Sequence, residues 1–109
     1  MKPVLILKPQ VHDDLTDNYL HIASDKFIPA ERFLEVAIEA FARLAAMPSI
    51  GVKGDFEHPS LSAIRIYPLP PPYRAYNVIY QPVPGGVEII SVLHGTRDTE
   101  PALRRILKI

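Results

Sequence analysis

Val87-Glu88-Ile89-Ile90-Ser91-Val92-Leu93-His94-Gly95 is the stretch on which the fold turns. It is too short for a membrane span and is a near-continuous apolar run, so it reads as a central strand of a sheet. Gly95 ends it. Immediately before it, Pro82-Val83-Pro84-Gly85-Gly86 is built from turn residues and reads as a five-residue hairpin loop. The partner strand is then expected over Tyr73 to Gln81, with Arg74, Tyr76, Val78 and Tyr80 sharing one face by the period of two. Further back, Pro68-Leu69-Pro70-Pro71-Pro72 is an extended connector with few backbone donors. Ahead of it, Ile64 and Ile66 alternate with Arg65 and Tyr67, a third strand with one apolar side.

The first half carries a different period. Ala30, Phe33, Leu34, Ala37, Ile38, Phe41, Leu44 and Ala45 form an apolar helical stripe, with Glu31, Arg32, Glu35, Glu39 and Arg43 facing away. A helix from Pro29 is expected, closed by Met47-Pro48-Ser49-Ile50-Gly51. Val11, Leu15, Tyr19 and Ile22 mark an earlier helix that starts at Pro9 and runs to about Ser24. Asp13, Asp14 and Asp17 read as a solvated acidic face near its N-terminus, favoured by the helix dipole. Val4 to Leu7 is a short strand, and Pro101 to Ile109 a short closing helix with Leu103, Ile106 and Leu107 inward. The expected architecture is α+β: an N-terminal strand, a two-helix hairpin, then a three-stranded antiparallel sheet, in a single domain over residues 1–109.

Composition narrows the chemistry. The chain has 109 residues, no Cys and no Trp, which removes disulfides, thiolate nucleophiles and Cys-ligated metal. It also fits a reducing, cytoplasmic setting. No apolar run approaches the length of a membrane helix, and the apolar part of the opening segment is too short for a signal peptide. The four His, at 12, 21, 58 and 94, are never spaced i, i+3 or i, i+4, so no metal site and no cofactor is expected. Net charge is zero, yet residues 1–42 hold 4 basic and 7 acidic side chains while residues 43–109 hold 8 basic and 5 acidic. The positive half is the sheet half. There Arg65, Arg74 and Arg97 accompany Tyr67, Tyr73, Tyr76 and Tyr80, the residue types that hold phosphates and stack bases. The structural alternative makes the tyrosines core-edge residues and pairs the arginines with Glu88, Asp98 or Glu100.

Val87 to Asp98, with its Leu93-His94-Gly95-Thr96-Arg97-Asp98 run, resembles the end of the RelE/ParE toxins of bacterial type II toxin–antitoxin systems. Tyr76-Asn77-Val78-Ile79-Tyr80 resembles the strand before it in that family, and Ala30 to Gly51 resembles its second helix with the Pro-x-Ile-Gly exit. Arg65, shortly before Pro68, stands at the family's Leu-Arg-x-x-Pro position. The resemblance spans nearly the whole chain and implies a growth-inhibiting toxin of the plasmid-stabilising kind, held in check by a cognate antitoxin. RelE-like members cleave mRNA on the ribosome and use a downstream Tyr, which residues 99–109 lack. The ParE-like branch is therefore expected: a binding protein that poisons DNA gyrase and breaks no bond itself. Arg65, Arg74, Tyr76, Tyr80, His94 and Arg97 are then the candidates for target contact. On the alternative, a metal-independent ribonuclease acting on ribosome and mRNA, Arg65, His94 and Arg97 would be catalytic. A third possibility is a homologue that keeps only antitoxin binding.

Overall fold

The computed structural model describes residues 2–25, 27–95 and 98–109. Strand β1 is Val4–Leu7, followed by helices α1, Gln10–Ala23, and α2, Phe33–Ala46. Strands β2, Val52–Lys53, β3, Arg65–Pro68, β4, Tyr76–Val83, and β5, Gly86–His94, follow, and helix α3, Thr99–Leu107, closes the chain. A single 3-10 turn, Pro59–Leu61, lies between β2 and β3. The architecture is the expected α+β one. All strands join one five-stranded sheet in the order β1-β5-β4-β3-β2, in which β1 runs parallel to β5 and every other pair is antiparallel.

Strand β5 is nearly continuous in apolar residues because it is covered on both faces. On one side Val87, Ile89 and Val92 join Tyr76, Val78 and Tyr80 of β4 under α1 and α2, packing on Val11, Ile22, Phe33, Ala37, Phe41 and Leu44. On the other, Ile90 and Leu93 join Ile79 and Ile64, covered by Leu61 of the 3-10 turn and by Ala102 and Leu103 of α3. A register shift puts Ile79 opposite Ser91 and Tyr80 opposite Ile89, leaving Ile90 as the extra residue of a bulge. That is why Ile89 and Val92, three apart, share a face.

Several sequence boundaries move. Strand β4 begins at Tyr76, not Tyr73, since residues 73–76 form a turn closed by Tyr76 N donating to Tyr73 O (2.9 Å). The hairpin loop shrinks to Pro84-Gly85, because the strands pair as far as Val83 and Gly86. Gly86 is required there: a Cβ would fall on the Val4 carbonyl where β1 runs alongside. Helix α2 starts at Phe33, after a turn, so the helices are joined by nine residues and not by a tight link. Strand β2, only two residues long, is too short to show an alternation in the sequence.

The largest correction concerns Asp14. It is buried (4% exposed), not solvated. Its carboxylate accepts from Gln10 Nε2 (2.9 Å), from the Val92 backbone N–H (3.1 Å) and, in a short contact, from the Ser91 hydroxyl. One turn on, Asn18 Nδ2 donates to Val92 O (2.9 Å). Tyr19, expected on the apolar stripe, is 36% exposed, and Asn18 takes the inward place. Asp14→Ala leaves a buried hydroxyl and a buried N–H without acceptors, so it should cost about 3 kcal/mol. Urea unfolding should show a midpoint falling far more for Asp14→Ala than for Asp13→Ala, whose side chain is exposed.

Candidate target-binding site

The sequence candidates separate into two groups along β4. Tyr80 and Arg65 stand opposite one another on β4 and β3, beside the exit of α2. Tyr76 and His94 stand opposite one another on β4 and β5. Four residues of strand put Tyr76 about 13 Å from Tyr80. They are not one cluster.

At the α2 exit both side chains are turned onto backbone. Tyr80 is fully buried, and its hydroxyl donates to Pro48 O (2.7 Å) while accepting from Gly51 N (2.9 Å). Arg65 Nη1 donates to Gly51 O (2.6 Å) and Ser49 O (3.2 Å). Four hydrogen bonds thus hold the loop 48–51, which has no regular structure of its own. Gly51 fits against the ring so closely that a Cβ would lie 2.5 Å from the Tyr80 oxygen. Nearby, Arg43 Nη1 donates to the Tyr67 hydroxyl (3.1 Å), tying the last turn of α2 to β3.

The other group is a chain of rings. Phe33 meets Tyr73 and Tyr76 edge-on at 5.6 and 5.4 Å, Tyr76 meets His94 at 5.0 Å, and His94 meets His21 of α1 at 6.0 Å. Tyr73 and Tyr76 are buried, and the Tyr73 hydroxyl donates to Pro29 O (2.6 Å). His94 is half-buried at the rim. Arg74 is exposed in the turn ahead of β4, so it does not share the face of Tyr76, Val78 and Tyr80, all of which point into the core beneath the helices. Arg97 lies outside the described residues.

Two of the acidic partners suggested for the arginines, Glu88 and Glu100, are engaged otherwise. Glu88 pairs with Lys8 (3.5 Å) and accepts from Gln81 (2.9 Å). Glu100 caps the segment before the 3-10 turn by accepting from Glu57 N (2.9 Å) and His58 N (3.1 Å). Among the described residues no group of three or more His, Cys, Asp or Glu is arranged to hold a metal ion.

What the sequence did not single out is the apolar surface on the clamped loop. Met47, Ile50 and Val52 are 50%, 38% and 72% exposed. The signal was there in part: a run of apolar residues that continues past Pro48, where the helix that would bury it has ended.

Burial raises the pKa values of Tyr73, Tyr76 and Tyr80. Asp25 raises Tyr76 further, while the Gly51 N–H and Arg65 pull Tyr80 partly back. A raised folded-state pKa means that the fold favours the protonated phenol. The associated stability is complete below pH 10, the ordinary value, and is lost as pH rises through the raised values. Stability should therefore fall above pH 10, and ultraviolet titration should show these three phenols ionising late, together with unfolding. Tyr80→Phe removes both hydroxyl bonds to the loop. It should cost about 1–2 kcal/mol and speed amide exchange at Gly51 more than in β5.

Residues 5–99 match the family model for the ParE toxin of type II toxin-antitoxin system, parDE. The match runs from β1 to the first residue of α3. A comparison with curated proteins gave no match.

Proposed function

The chain belongs to the family of ParE toxins of type II toxin–antitoxin systems, and from that premise we propose that it acts by binding DNA gyrase and stalling it on cleaved DNA. A family of this kind implies an antitoxin partner, and we assign to that partner the neutralising role. The observation that supports binding over bond cleavage is the engagement of Arg65 and Tyr80. A guanidinium bound to two main-chain carbonyls, beside a fully buried phenol, serves as scaffold. Neither is presented to a scissile phosphate. Arg74, exposed in its turn, His94 at the rim with the Tyr76 ring against it, and Arg97 remain candidates for target contact, while Arg65 and Tyr80 hold the loop 48–51.

The antitoxin has a suitable place on β1. This edge strand carries Val4, Leu5 and Ile6 at 39–45% exposure, and among the described residues no strand lies on its outer edge. Such an edge accepts an extended segment that adds a strand and covers the apolar side chains. Among the described residues no helix is long and apolar enough to cross a membrane.

Purified protein should block gyrase supercoiling and trap gyrase–DNA cleavage complexes, while leaving mRNA intact on programmed ribosomes. Cutting of that mRNA with gyrase unaffected would overturn the proposal in favour of a ribonuclease. Failure in both assays, with no growth defect on expression, would leave a homologue that only binds antitoxin.

A further inference from the structure

We propose that the loop from Met47 to Val52 is the surface by which this toxin engages its protein target, and that it fits an apolar socket ringed by carboxylates. This rests on the gyrase reading above and adds the place and chemistry of the contact.

Three features converge on the loop. The first is its exposed apolar surface, with Met47, Ile50 and Val52 projecting from a segment of six residues. Apolar side chains concentrated in one short segment mark an interaction site when nothing in the fold covers them. The second is rigidity. The hydroxyl of Tyr80 and the guanidinium of Arg65 bind Pro48, Ser49 and Gly51 through main-chain atoms only, so they fix the backbone without covering the outward side chains. A loop held in one conformation loses little entropy on docking, which is how a small apolar contact becomes a strong one.

The third is charge. From Ala40 to Gly54 the chain contains Arg43 and Lys53 and no acidic residue. Both cations are exposed, and among the described residues neither is in an ion pair. An apolar centre with cations on both flanks is complementary to a socket with an acidic rim.

The shape of the loop selects the occupant. A rigid projecting turn enters a concavity on a folded protein. The edge of β1, beside which no other strand of the sheet lies among the described residues, is the place suited to an extended chain. Arg65 and Tyr80 are then positioning residues: they set the loop and do not touch the target.

The test uses the full chain and purified DNA gyrase, with binding read by surface plasmon resonance and function by supercoiling. Val52→Glu and Met47→Glu should each weaken both by about tenfold or more, with melting temperatures close to that of the parent. Lys53→Glu should weaken binding less and should reduce its sensitivity to added salt. Leu20→Glu, on an exposed position of α1, should leave binding unchanged. Glutamate variants of the loop that bind as tightly as the parent would overturn this assignment while leaving the gyrase reading intact. So would equal losses in Leu20→Glu. A parent protein with no affinity for gyrase would overturn both.

Discussion

The fold depends on one buried carboxylate. Strand β1 accompanies β5 only as far as the bond from Lys8 N to Ile89 O, after which the chain leaves the sheet to begin α1. Beyond that point the β5 backbone on this side would have no strand to pair with. Asp14 and Asn18, one helical turn apart, take the place of the missing strand by engaging the N–H and C=O of Val92. Buried main-chain groups must find partners, and here the helix itself supplies them. The placement of α1 along the sheet follows from those bonds, and the apolar core between α1, α2 and β5 closes around them. The bulge at Ile90 belongs to the same arrangement, since it brings Ser91 next to the carboxylate while keeping Val92 in the core.

A second constraint acts at the far side of the sheet. There the short β2 is the edge strand, and two paired residues give little backbone bonding to hold the segment that precedes it. Tyr80 and Arg65 supply what the ladder does not, reaching from β4 and β3 onto the loop. Both ends of the chain's passage across the helical layer are thus tied to the sheet by side chain to main-chain bonds: Asp14 and Asn18 at α1, Tyr80 and Arg65 after α2. These are directional ties, and they complement apolar packing, which fixes layers more readily than it fixes register or loop shape.

Much of this was legible in the sequence, for identifiable reasons. The two-sided burial of β5 shows in its uninterrupted apolar run, and the helical period of α2 survives any error in its first turn. Asp14 was not legible. Three aspartates near a helix N-terminus have a sufficient explanation in the helix dipole, and the partner that overrides it, Ser91, lies 77 residues away. Strand β2 was too short to produce an alternation. The tyrosine face of β4 was placed correctly by period two, but that period does not say which face meets the helices. Arg74 falls off that face because the period of two ends where residues 73–76 turn. Arg65 could be found as a residue of note, yet its role turned on where its guanidinium points, and that depends on the loop closing beside it.

The same residue types can therefore serve two opposite ends. An arginine and a tyrosine facing solvent are tools for binding or cleaving a polyanion; turned onto the main chain, they become fixtures that hold something else outward. Which use applies is decided by burial and by the number of bonds already made. Tyr80 has a donor and an acceptor partner within 3 Å and no exposed surface, so its hydroxyl has little left to offer a ligand. The side chains on the loop it sets in place, Met47, Ile50 and Val52, stay 38–72% exposed. In a chain of zero net charge whose sheet half is positive, recognition then falls to apolar shape with a cationic border, a division in which buried polar bonds give the geometry and exposed apolar groups give the affinity.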